Sequence, residues 1–188
     1  MGKKLDLVWM VSREYGDLAG AGGVKDVAQQ LAEVLAAEAE MRVRVVLPAY
    51  GFINPQKYGF TLLDEPRFPG QPLQFIVDMN YGAEEREEVC HVWWREEGQV
   101  RLYLIEAQRF HEKKHPYTNI DGRGHYDYFA MNVLLQKSVL ELIIILGEKP
   151  DVIHCHDGHT ALIPAFIHQC LGWRGYFRET GCLVTIHN

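Results

Sequence analysis

A chain of 188 residues, 47% hydrophobic and 23% charged, can close one sizeable core and lies far from the composition of disordered proteins. Its net charge of −6, with no run of Lys and Arg, argues against a nucleic-acid surface, which needs a basic face. Cys90, Cys155, Cys170 and Cys182 form no C-x-x-C pair, which removes a zinc ribbon or a redox motif from the leading readings.

The first element is predicted from Leu5 to Val11, a near-continuous apolar run that reads as a buried, parallel strand. This apolar stretch, broken by Asp6, is too short for the core of a signal sequence, and no small-residue cleavage site follows. No apolar run reaches the roughly 20 residues of a membrane span. The expectation is a cytoplasmic protein with reduced cysteines and neither a membrane nor a nucleic-acid partner. Residues 12–23 are rich in glycine. Val24, Val27, Ala28, Leu31, Val34 and Leu35 then recur at helical spacing, and Val43 to Leu47 forms a second strand stopped by Pro48. Strand, glycine-rich loop, helix and strand make a βαβ unit.

Residues 51–72 hold Gly, Pro and Asn at irregular spacing and read as loop or short strands. Leu73 to Val77 reads as a strand, and Val89 to Ile105 as a hairpin turning near Glu96-Glu97-Gly98. Phe110 to Tyr128 is a long polar and aromatic loop, either functional or a mobile solvent loop. A helix apolar on most of its surface follows from Phe129 to Leu146, with Gly147 and Pro150 as its stop signals. Residues 151–155 form a strand, a His-rich turn leads into a helix ending near Leu171, and Cys182 to Ile186 is the last strand. No internal repeat or low-complexity segment occurs. A last strand with no covering helix reads as the cut edge of a longer protein.

Three stretches hold candidate chemistry. Gly20-Ala21-Gly22-Gly23 opens the first helix, where free N–H groups and the helix dipole favour an anion. The spacing is neither G-x-G-x-x-G nor a P-loop, so a plain tight turn competes with a phosphate cradle. His154-Cys155-His156-Asp157-Gly158-His159 follows a strand end, where open α/β sheets bind ligands. His154 and His156 share one strand face, and His159 is expected to begin the next helix. A metal site, core histidines bonded to backbone, and recognition of sugar or phosphate by neutral imidazole are the three readings, the last favoured because imidazole both donates and accepts. The third stretch, His115 to Tyr128, sets aromatic rings beside Asp, Asn and Arg, as carbohydrate binding requires. Asp127, just before a helix, is placed by spacing as its N-cap.

In combination these stretches resemble the N-terminal, acceptor-side domain of bacterial glycogen synthases and plant starch synthases. The family's Lys-Thr-Gly-Gly-Leu-Ala-Asp-Val is matched by Gly20 to Val27, and its next strand end by Arg44 to Tyr50. Its His-x-His-Asp-Trp-His-Thr turn is matched by His154 to Thr160, and its Thr-Ile-His-Asn by Thr185 to Asn188. Pro116-Tyr117 through Asp127 looks like the loop before the family's Asp-Asn-x-x-Arg-Phe helix start. The departures mark a divergent member: Gly20 and Ala21 replace the family's Lys and Thr, and Gly158 its Trp. Tyr128, Met131 and Asn132 stand where it has Asn, Arg and Phe.

The resemblance implies an α/β fold, a Rossmann-like, doubly wound and mainly parallel sheet forming one half of a two-domain GT-B glycosyltransferase. It implies a retaining glucosyltransferase, without metal or other cofactor, that extends an α-1,4-glucan from ADP-glucose or UDP-glucose. The nucleotide-binding second domain would lie outside these 188 residues, leaving them inactive alone. By the same resemblance His156 hydrogen-bonds the transferred glucose and Asp127 helps hold sugar hydroxyls. Gly22 and Gly23 face the donor phosphates, and Tyr117, Asp157, His159 and Asn188 contact sugar. Two further implied readings are a glucan-binding domain with impaired catalysis and a related transferase with a small acceptor.

Overall fold

The computed structural model describes residues 4–80 and 86–187. Strands β1 (Leu7–Val11) and β2 (Arg42–Pro48) flank helix α1 (Val24–Ala37), as the βαβ pattern requires. The 51–72 region holds a single 3-10 turn at Gln56–Tyr58 and the short strands β3 (Thr61–Leu62), β4 (Asp64–Glu65) and β5 (Phe68–Pro72). Strand β6 (Gln74–Asp78) precedes the hairpin of β7 (Glu87–Glu97) and β8 (Val100–Glu106). One turn of helix, α2 (Gln108–His111), leads into the aromatic loop, and the long α3 (Tyr128–Ile145) follows. Strand β9 (Val152–His156), helices α4 (Ile163–Gln169) and α5 (Leu171–Arg174), and β10 (Gly181–Thr185) complete the chain.

The main sheet runs β10-β9-β1-β2-β8-β7-β3, with β6 sharing the outer edge of β7. The first five strands are parallel; β7 turns back, and β3 and β6 pair antiparallel to it. Strands β4 and β5 form a separate two-stranded sheet. Every residue of β1 is buried, so layers cover both faces of the sheet's centre, and an unbroken Leu-Val-Trp-Met-Val run is the sequence form of that burial.

The α1 stripe differs from the expected one. Ala28, Ala32 and Ala36 are its buried residues, whereas Val27 and Val34 are exposed. Three alanines at i, i+4 and i+8 bring the helix backbone close to the sheet and turn Val27 toward the mouth of the cleft described below. Helix α3 is long and apolar enough to cross a membrane by length and composition, but 67% of it is buried within the fold. Leu134, Val139, Leu140 and Leu142 are fully buried, and polar Gln136 and Ser138 sit among them with hydrogen-bond partners. Apolarity on nearly all sides is how a core helix reads.

Candidate functional site

Strand order reverses direction at β1, whose neighbours are β2 on one side and β9 on the other. The loops that leave the carboxyl ends of β1 and β9 diverge there and open a crevice, the usual ligand position in such sheets. A cavity of about 650 Å³ fills it, lined by Glu14, Gly22, Gly23, Tyr117, Asp157 and His159 among others. Its volume lies within the range of small-molecule sites.

The glycine-loop wall is built around two buried charges. Glu14 Oε2 accepts the N–H groups of Ala21 (2.5 Å) and Gly22 (2.9 Å). Its Oε1 accepts the Tyr117 hydroxyl, and burial next to this carboxylate drives the phenol pKa strongly upward. Arg13, 2% exposed, donates to the Tyr50 hydroxyl (3.2 Å) and lies under the rings of Tyr117 (4.9 Å) and Tyr128 (5.3 Å). Gly22 and Gly23, expected to face phosphate, line the cavity, but the Gly22 N–H is already taken by a side chain of the protein. Neither Glu14 nor Arg13 was singled out from the sequence. The one signal was a charged pair one residue after a buried strand, at the start of the glycine-rich loop.

The aromatic loop is ordered. Thr118 and Gly124 form a β-bridge, and His125 is pinned by Asn119 Oδ1 (2.9 Å) and the His115 carbonyl (2.9 Å). Asp127 occupies the N-cap position, yet its side chain makes no cap hydrogen bond, which corrects the role expected from spacing. The Lys113 ammonium meets both its carboxylate oxygens (2.8 and 2.9 Å), and Arg109 meets one (2.9 Å). Two cations out-compete backbone N–H groups for a buried carboxylate. Burial alone would raise its pKa; Lys113 and Arg109 together reverse that and hold it low. Asp127 lies outside the cavity wall, and a sugar hydroxyl could reach its carboxylate only by displacing one of these cations. Lys113 and Arg109 were missed as isolated basic residues in a polar stretch.

The histidine wall is neutral. His154 and His156 share a face of β9, as predicted, with ring centroids 4.4 Å apart. His156 Nδ1 meets His187 Nε2 at 2.9 Å, and these rings stack at 5.2 Å. Burial, followed by the neighbouring His154 and His187, pushes the His156 pKa down to about 3. Burial likewise lowers His154 and His159. His156 is 1% exposed and stands behind His187, which lines the cavity; its Nε2 has no partner among the described residues.

His159 does not begin the next helix. Residues 158–162 form turns, and α4 starts at Ile163. The start is fixed from outside: Gln136 Oε1, on α3, accepts the N–H groups of Leu162 (2.6 Å) and Ile163 (3.0 Å). Asp157 takes a left-handed φ of 63° and accepts the His187 N–H (2.8 Å), and Thr160 donates to the His156 carbonyl (2.9 Å). His159 is thereby held against Tyr117 (5.4 Å) and Tyr128 (5.6 Å), closing the cavity floor. Of the predicted residues, Gly22, Gly23, Tyr117, Asp157 and His159 line one cavity, His156 and Asp127 stand behind its walls, and Asn188 lies outside the described residues. No group of three His, Cys, Asp or Glu side chains among the described residues is placed to hold a metal ion.

A parallel sheet with its cleft at the switch point, walled by a glycine loop and a histidine turn, defines a Rossmann-like ligand-binding domain. The sequence profile of the starch synthase catalytic domain matches residues 7–188, and the chain belongs to that family. It is 31% identical over its whole length to a glycogen synthase of Moorella thermoacetica, covering 34% of that protein. Against glycogen synthase 1 of Geobacter sulfurreducens it is 29% identical, over 96% of this chain and 34% of that one. Among solved structures it is similar to the catalytic domain of starch synthase IV from Arabidopsis thaliana, bound to ADP and acarbose. That match has a TM-score of 0.74 and 23% identity, over 99% of this chain and 34% of that one. The fold is thus one Rossmann-like half of the GT-B arrangement, and the chain spans about a third of the relatives it matches.

Proposed function

We propose that this domain is the acceptor-side half of a retaining glucosyltransferase that lengthens an α-1,4-glucan in glycogen or starch synthesis. One observation carries the reading: a single cavity at the switch point gathers glycine-loop amides, aromatic rings and neutral imidazoles, a combination suited to a diphosphate next to a sugar. The donor is ADP-glucose or UDP-glucose, and a second domain, beyond these residues, holds most of the nucleotide. Gly22 and Gly23 face the donor phosphates, His156 meets the transferred glucose once His187 moves from in front of its Nε2, and His159, Asp157, Tyr117 and Asn188 contact sugar. Tyr126 and Phe129, both exposed beside the cleft, give the glucan a surface on which to stack. Asp127 keeps the aromatic loop in shape. The enzyme acts in the cytoplasm, with no metal or other cofactor.

The test is release of ADP or UDP by the complete polypeptide that carries this sequence, with glycogen as primer. Release with one donor is expected, and none from the 188-residue chain alone; no release with either donor overturns the proposal. A second reading, glucan binding without transfer, draws support from the cavity lining, which holds no Lys or Arg among the described residues, and from Gly20 at the family's lysine position. Maltooligosaccharide binding by the complete protein without turnover would select it.

A further inference from the structure

Glu14 is 1% exposed and makes no salt bridge among the described residues, yet its carboxylate makes three hydrogen bonds, all with groups at the cleft. Two come from the glycine loop and one from Tyr117, 103 residues away in sequence. No other hydrogen bond among the described residues joins residues 20–24 to residues 115–128. The arrangement differs from an ordinary helix cap. A cap needs one oxygen and serves its own helix, whereas here the second oxygen is spent on a loop of the opposite function.

We propose that Glu14 is a positioning residue that couples the two substrates' loops: it fixes the glycine loop only while the Tyr117 hydroxyl holds its other oxygen. This rests on the proposed function for the naming of the loops as donor-side and acceptor-side, but the coupling itself is a property of the fold. Without the Tyr117 hydroxyl, the carboxylate regains rotational freedom, and the Ala21 and Gly22 amides lose a fixed acceptor. A glucan chain that seats the aromatic loop firmly therefore also sets the loop that meets the donor phosphates. Arg13, beside Glu14 and under the Tyr117 ring, keeps the phenol over the carboxylate.

The experiment uses Tyr117→Phe, Glu14→Gln and the double variant in the complete protein. Amide hydrogen exchange at Ala21 and Gly22 without ligand should speed up by about tenfold in Tyr117→Phe, the loss of one charge-assisted hydrogen bond read at a distance. Maltooligosaccharide should slow that exchange in the unmodified protein and leave it unchanged in Glu14→Gln. In steady-state kinetics, Tyr117→Phe should raise the sugar-nucleotide KM by about fivefold, and the double variant should match Glu14→Gln alone. Unchanged exchange in Tyr117→Phe, or effects of the two substitutions that multiply, would overturn the coupling. If the protein transfers no glucose, the exchange measurements still decide the coupling while the proposed function fails separately. If Glu14→Gln does not fold, Tyr117→Phe alone decides it.

Discussion

Across the glycine and aromatic loops, the buried carboxylates of Glu14 and Asp127 have five side-chain and backbone partners between them. On the histidine side, three stacked imidazoles share two hydrogen bonds to Thr185 and within the stack, and one buried nitrogen is left over. The carboxylates of the first wall are satisfied, so a ligand that takes their partners must exchange them, although the buried Arg13 Nη2 has no partner among the described residues. The second holds one unpartnered nitrogen, His156 Nε2, buried behind His187, so a ligand hydroxyl reaches it only where His187 moves aside. A sugar-nucleotide site needs both properties, a shaped cradle for charge and a spare partner for hydroxyls, and this cleft keeps them on separate strands.

The largest expected effect breaks the histidine side. His156→Ala in the complete protein should lower glucosyl transfer by about 100-fold or more, as loss of a group poised at the reacting sugar does, while the unfolding transition stays cooperative. Initial rates with a glycogen primer check this, and near-normal activity would remove His156 from the site. Next is the charged side. Asp127→Asn leaves the buried Lys113 ammonium and part of Arg109 unneutralised and should cost about 3 kcal/mol in urea unfolding; a loss below about 0.5 kcal/mol would show that solvent screens the cluster.

The third effect separates the walls by pH. A histidine whose folded pKa is depressed disfavours the folded state once the unfolded chain takes up its proton. For His156 stability is therefore full above about pH 6.5 and falls as pH drops toward 3, by about 2 kcal/mol between pH 7 and 5. Asp127, held low in the folded state, contributes stability that is full above its unfolded pKa of about 4 and is lost only as pH falls through its lowered value. Thermal unfolding from pH 7 to 3 should thus show two descending steps. Replacing His156 should flatten the upper one and Asp127→Asn the lower one; a single step would mean that the walls do not titrate independently.

The central parallel strands β1, β2, β8 and β9 were legible to within one or two residues because they are mostly buried and so appear as apolar runs. The outer strands β3, β4 and β5 were not, since two-residue pairs and the exposed run Phe68–Pro72 leave no periodicity to read. At the site, spacing placed His154 and His156 on one face correctly, because strand geometry is local. It failed at Asp127 and at the start of α4, because Lys113, Arg109 and Gln136 arrive from elsewhere in the chain. Glu14 was hidden for the same reason: its partners are a loop and a residue a hundred positions away.

Gly158 lies on the cavity wall with an ordinary backbone conformation, and an added Cβ would meet nothing within 4 Å. Neither strain nor crowding therefore holds this position to glycine. A side chain at position 158 would narrow the cleft at the histidine turn without disturbing the sheet. The family's tryptophan and this chain's glycine are then two ends of one scale.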